Sequence, residues 1–181
     1  MDRDLETKMV MACQKGDRKA LDTLVRQLEK PVYNAAFRML GNPDEAADVT
    51  QATFVKVFEN IQRFDPGRRL FSWTYRIALN ESIDQLRRRK RTQPLADTPR
   101  SSSDVPQDNV ESSQLRDEVQ AALMTLNEEQ RAVITLRYFS ECNYRDIGAI
   151  LRLPEKTVKS RLFEARRKMR DKLCQHGVFS S

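Results

Sequence analysis

Histidine, cysteine and glycine are all scarce in this chain, and each scarcity removes a class of protein. The 181 residues include one histidine, His176, and three cysteines, Cys13, Cys142 and Cys174. An odd, widely spaced set with no Cys-x-x-Cys pair excludes a disulfide framework and gives zinc no set of four ligands. A lone histidine near the C-terminal end offers no base to a serine or cysteine nucleophile. The expectation is therefore a protein that is not an enzyme, with no metal, no cofactor and no small-molecule substrate. Five glycines are too few for the many turns of a barrel or sandwich. No stretch approaches the roughly 18 uncharged apolar residues of a membrane span, and the opening MDRDLETK is too charged for a signal peptide. Direct membrane insertion is not expected, and the expected compartment is the cytoplasm.

Charge and helical periodicity are what the chain does have. Hydrophobic residues make up 39% and charged residues 32%, with a net charge of +6. Residues 1–91 carry +5, residues 92–114 carry −3 and residues 115–181 carry +4. Two basic lobes joined by an acidic strap suit an extended polyanion held at two places.

The strap, TQPLADTPRSSSDVPQDNVESSQ, contains three of the seven prolines, five serines and almost no large apolar residue. It cannot bury enough surface to offset its ordering entropy, so it reads as a linker. Fully extended it reaches roughly 75 Å, which limits two lobes on one duplex to about 22 base pairs apart. An all-α fold is expected: two small helical domains, residues 1–91 and 115–181, joined by a flexible linker over residues 92–114.

In the first lobe Ala20, Leu21, Leu24, Val25, Leu28, Val32, Ala35, Ala36 and Met39 keep the spacing of one buried stripe. Pro31 should kink or divide that helix. Gly41 is a natural stop, and Asn42-Pro43-Asp44 starts the next helix, which should bury Ala47, Phe54, Val57, Phe58 and Ile61. RFDPGRR (Arg63–Arg69) reads as a loop, and a last helix should run from about Leu70 into RRRKR. The second lobe reads as four shorter helices, with a capping-box signal at Asn127 and Gln130.

YRDIGAILRLPEKTVKSRL (Tyr144–Leu162) stops one apolar helix at a proline and starts a second that turns basic. On a helical wheel Val158, Leu162, Ala165, Met169 and Leu173 share one arc of the second helix. Lys156, Lys159, Ser160, Phe163, Glu164 and Arg167 lie opposite. A helical hairpin with a solvated outer face is the plain alternative. Against it stand Phe163, which suits a thymine methyl, and the small donors Thr157 and Ser160 among long cations. Basic density continues as ARRKMRDK, suited to a phosphate backbone. The stretch reads as a DNA-binding helix-turn-helix.

In the first lobe Phe71, Trp73 and Tyr75 crowd beside Arg76 and Asn80, ahead of five consecutive cations, Arg87–Arg91. Trp73 reads equally as core or as part of a platform that stacks unpaired bases, with Arg68, Arg69, Arg76 and Asn80 around it. A duplex reader and a single-strand reader on one tethered chain describe a protein that holds DNA while it opens.

DEAADVTQATFVKVFENIQRF, FSWTYRIALNESIDQLRRRKR and LNEEQRAVITLRYFSECNYRDIGAILRLPEKTVKSRLFEARRKMR together resemble conserved regions two and four of the bacterial extracytoplasmic-function sigma factors, within the sigma-70 superfamily. The resemblance covers nearly all of the chain outside the linker and termini. It implies a subunit that binds core RNA polymerase, through its β′ and β subunits, and recognises the −35 and −10 promoter elements. It also implies promotion of strand opening, and control by an anti-sigma factor through which alone the chain would meet a membrane. Asp48, Gln51 and Phe54 match the core-binding pattern. Loop Arg63–Arg69 corresponds to the segment that captures a flipped −10 base, with Arg68, Arg69, Trp73, Arg76 and Asn80 as contacts to the melted strand. Lys156, Thr157, Lys159, Ser160, Phe163 and Arg167 would meet duplex DNA at the −35 element. Many family members carry a base where this chain has Glu164, an acid that could accept from a cytosine amino group.

Two other classes compete. A stand-alone helix-turn-helix regulator would dimerise on palindromic sites and bind DNA tightly by itself. A recombinase or nuclease would need clustered metal-binding carboxylates, and the acidic residues here are scattered.

Overall fold

Four of the helices begin where a short polar side chain accepts the first free amides, as helix N-termini require. Asp17 accepts from Lys19 and Ala20, Asn42 from Glu45, Asn127 from Gln130 and Asn143 from Asp146, at 2.8–3.3 Å. The structure, a computed structural model, describes residues 3–92 and 110–175. In chain order the helices are α1 (Arg3–Gln14), α2 (Arg18–Leu40), α3 (Pro43–Asn60), α4 (Leu70–Thr92), α5 (Val110–Met124), α6 (Glu128–Ile134), α7 (Tyr144–Leu151) and α8 (Glu155–Gln175). A 3₁₀ turn (Ile61–Arg63) follows α3, and a π-helical turn (Thr135–Phe139) continues α6. The described residues contain no strand, and the fold is all-α, as expected.

The first unit packs α2, α3 and α4 around Leu24, Leu28, Val32, Met39, Val57, Leu70 and Leu79, with α1 laid against α2 and the 3₁₀ turn. The second packs α5, α6 and α7 on the buried arc of α8, where Val158, Leu162, Ala165 and Leu173 are buried as expected. Met169 is half-buried at the edge of that arc.

Several local expectations are corrected. Pro31 lies inside α2 and does not divide it. Leu24, Leu28, Val32, Ala35 and Ala36 bury one continuous face, and that packing outweighs the roughly 3 kcal/mol cost of an interior proline. On α3 the buried face is Ala46, Val49, Thr50, Thr53, Phe54 and Val57, whereas Ala47 and Phe58 are exposed. Only the acceptor half of the Asn127 capping box forms: the Gln130 side chain turns instead toward Glu164 and Lys168 of α8. Of the linker expected over residues 92–114, residues 93–109 lie outside the described part of the chain, and α5 begins within the stretch, at Val110. His176 also lies outside it.

The two helical units are packed on each other and share one core. The C-terminal half of α2 meets α5, α6 and the π-helical turn, and α4 meets α7. Polar bonds sew this seam. Buried Arg131 donates to the carbonyls of Leu123, Met124 and Leu126 at the end of α5, and to that of Met39 on α2. Gln120 donates to the carbonyls of Phe37 and Arg38 and accepts from the Arg38 guanidinium at 2.9 Å. Gly41 ends α2 at φ 69°, and a Cβ there would lie 2.8 Å from the Met124 sulfur of α5.

Candidate nucleic-acid interface

The loop between α3 and α4 turns on short bonds of its own and is held from outside by helix α1. Asp65 Oδ1 accepts from the Gly67 amide at 2.9 Å and the Asp65 carbonyl accepts from the Arg68 amide at 3.0 Å, closing a tight turn. That turn sets Phe64 beneath Trp73, with ring centroids 4.5 Å apart and planes 29° from parallel. Phe64 is buried and Trp73 half-buried, so the indole is at once part of the packing and a wall of the space outside it. A cleft of about 820 Å³ opens there. Five cations line it, Lys56, Arg63, Arg68, Arg69 and Arg76, together with Trp73. An aromatic wall inside a ring of cations can stack a base while neutralising its phosphates.

Four of the five residues expected at the melted strand thus meet in one cleft. Asn80, the fifth, is exposed a turn further along α4 and does not line it. Arg76 has other partners here. Its Nε donates to the Ile150 carbonyl at 2.9 Å and its Nη2 to the Ala149 carbonyl, at the C-terminal end of α7, where a helix leaves carbonyls unbonded and a cation is favoured. Burial, then the neighbouring Arg152 and Arg68, lowers the Arg76 pKa from the usual guanidinium value. Asp146 and Ala149 of α7 close one side of the cleft. Sequence reading missed Lys56 and these two α7 residues, and took in Phe64 only as part of the loop Arg63–Arg69. Lys56 falls on the α3 helix rather than the loop, and no local pattern shows that α7 packs there.

A second surface lies between α2 and α3. Val25, Tyr33, Gln51, Phe54, Val55 and Phe58 line a groove of about 600 Å³. Gln51 is exposed, and Asp48 is exposed one turn before it. Phe54 is 7% exposed and belongs mainly to the core, whereas Phe58 is 40% exposed and Val55 48%. Val55 and Phe58 thus put two apolar side chains, one turn apart, on the exposed side of α3.

The third surface is the outer face of α8. The α7–α8 turn is tight because Arg152 takes the left-handed conformation at φ 56° and the Leu153 amide returns to the Gly148 carbonyl at 2.9 Å. A Cβ on Gly148 would sit 2.7 Å from the Leu153 carbonyl oxygen, so only glycine permits the approach. Lys156, Lys159, Ser160, Phe163 and Arg167 are exposed together and Thr157 is half-buried. Phe163 is 64% exposed, unusually bare for phenylalanine. The Ser160 hydroxyl donates to the Thr157 carbonyl at 3.0 Å, and Lys159 stands 5.7 Å over the Tyr144 ring. Glu164 lies within 3.5 Å of Gln130 on α6, at the margin of this basic face.

No group of histidine, cysteine or acidic residues among the described residues could hold a metal ion.

Residues 24–92 match the family described as Sigma-70 region 2, and residues 116–169 match Sigma-70, region 4. The chain is 34% identical over 178 residues to the ECF RNA polymerase sigma factor SigW of Bacillus subtilis, covering 92% of this chain and 95% of that protein. It is 30% identical to the RNA polymerase sigma-H factor of Pseudomonas aeruginosa, covering 91% of each. Among solved structures, CnrH in complex with the cytosolic domain of CnrY shares the fold. It aligns at a TM-score of 0.76 and 24% identity over 96% of this chain and 99% of that one.

Proposed function

The chain belongs to the extracytoplasmic-function sigma factors of the sigma-70 family, and from that premise we propose how its three surfaces divide the work of starting transcription. As a sigma factor it binds core RNA polymerase, recognises the −35 and −10 promoter elements and promotes strand opening. The family comprises transcription initiation factors, and a stand-alone helix-turn-helix regulator is not favoured.

The α2–α3 groove, with Asp48, Gln51 and the rim of Phe54, docks on polymerase through its β′ and β subunits. Val55 and Phe58 join that contact. The outer face of α8 enters the major groove at the −35 element, with Lys156, Thr157, Lys159, Ser160 and Arg167 on phosphates and base edges and Phe163 against apolar base surface. The cleft around Trp73 receives the unpaired −10 strand. Arg68 and Arg69 hold its phosphates, and Asn80 extends the path along α4. Arg76 joins them after exchanging the α7 carbonyls for DNA, which requires α7 to leave α4. An anti-sigma partner controls the factor by covering the groove and the DNA surfaces. The factor works in the cytoplasm, and no helix among the described residues is long and apolar enough to cross a membrane.

The observation that carries this reading is a cation-lined cleft with an aromatic wall on the same chain as a helix-turn-helix whose basic face is exposed. Run-off transcription with purified core polymerase tests it. Adding the protein should give discrete transcripts from templates of its own genome. Absence of any promoter-dependent product on all of them would refute it.

A further inference from the structure

Helix α1 lies outside the residues matched to region 2, and four of its polar side chains reach for the same loop. At about 100° per residue, Arg3, Glu6, Thr7 and Gln14 share an arc of about 100°, with buried Val10 between them. Gln14 Nε2 donates to the carbonyls of Ile61 and Phe64 at 2.9 and 2.7 Å. Thr7 Oγ1 shares its proton between the Arg3 carbonyl at 3.0 Å and the Pro66 carbonyl at 3.3 Å, and Arg3 donates to the Gly67 carbonyl at 3.3 Å. Glu6 is 3% exposed, and its Oε1 accepts from the Phe71 amide at 3.1 Å while its Oε2 faces Arg69 Nε at 3.6 Å.

The Glu6 contact resolves a local difficulty. Helix α4 starts at Leu70, and the Arg69 carbonyl accepts from the Trp73 amide, so Arg69 stands at the capping position. A guanidinium has no acceptor, cannot cap, and adds positive charge at the positive end of a helix. Glu6 supplies from another helix the acceptor that this position lacks, and its charge offsets the arginine. Loop and helix start are thereby fixed together, with Trp73 one turn inside.

We propose that Glu6 is a positioning residue for −10 strand capture. It presets Arg69 and the start of α4 so that the cleft is formed before DNA arrives, and Gln14 holds the other end of the loop. The inference rests on the reading of the cleft as the site of the unpaired strand. Preorganisation of this kind spares the cost of ordering a loop at the moment of binding.

Holoenzyme reconstituted from core polymerase and full-length protein provides the test, with Glu6→Gln and Gln14→Ala as separate variants. Three quantities are read: open-complex formation by permanganate reactivity of unpaired thymines, affinity for core, and the penalty for base changes in each promoter element. Both variants should lower open-complex formation about ten-fold and blunt the penalties at the −10 element. Core affinity and the −35 penalties should stay at wild-type values. Wild-type open complexes in both variants would overturn the proposal, as would a parallel fall in core affinity and −35 discrimination, the mark of general destabilisation. A wild-type protein that opens no promoter would instead refute the reading of the cleft itself.

Discussion

Gly148 and Cys142 show how much a single position can fix. With a Cβ 2.7 Å from a backbone oxygen, Gly148→Ala has to shift the α7–α8 turn itself. Overpacking of this kind costs about 1–3 kcal/mol. The expected outcome is a lower melting temperature together with weaker −35 duplex binding in a gel-shift assay, while core affinity is kept. Cys142 is buried, and burial pushes its thiol up from its usual value near 9 to about 11. The folded chain therefore keeps that proton where the unfolded chain has released it, so stability falls as the pH rises from about 9 to 11. Denaturant titrations across that window should show a shallower decline for Cys142→Ala than for wild type. Cys174 is exposed and Cys13 and Cys142 are buried, so a thiol reagent at pH 8 should modify one cysteine per native chain quickly.

At the scale of the element, α3 separates residues that hold the fold from residues that meet a partner. Phe54 is nearly buried and Phe58 is wet. Phe54→Ala should lower stability by about 3 kcal/mol in chemical denaturation. Phe58→Ala should change stability by less than about 0.5 kcal/mol and weaken core binding roughly ten-fold in a competition assay. Hydropathy reading reverses Phe58 because it misplaces the edge of the inner face of α3. Thr50 and Thr53 donate their hydroxyls to the Ala46 and Val49 carbonyls at 2.7 Å, so two polar residues sit comfortably on the buried side. A pattern that counts apolar residues alone passes over them and widens the buried face to Ala47 and Phe58, while placing Phe54, Val57 and Ile61 correctly. Where caps and long apolar stripes dominate, as in α2 and α8, the elements are legible from the chain. The α8 face is legible for the same reason, since its buried arc leaves Lys156, Lys159, Phe163 and Arg167 only one direction to take. Helix α1 is not legible as a brace, because its polar stripe acquires meaning only from a loop some fifty residues away.

For the whole molecule the packing of α4 on α7 governs what the free chain can do. The cleft is partly walled by Asp146 and Ala149, and Arg76 is spent on the end of α7. Removing that guanidinium, as in Arg76→Ala, forfeits two charge-assisted bonds, worth on the order of 1–2 kcal/mol at a partly exposed site. The expected outcome is a larger radius of gyration of the free protein in X-ray scattering, with the helical signal in circular dichroism unchanged. An unaltered radius would mean that Arg131, Gln120 and the shared core hold the units together without it. The bonds from α1 to the loop have a further consequence, on the timescale of descent. Apart from the Glu6–Arg69 ion pair, they run to four carbonyls and one amide, groups that every residue but proline at an amide can provide. The outward side chain Arg63 can therefore be exchanged without touching those bonds, and Arg68 at the loss of only an exposed ion pair to Asp65. A duplicated copy of such a gene could take command of a new set of promoters through a few codons, with its architecture inherited intact.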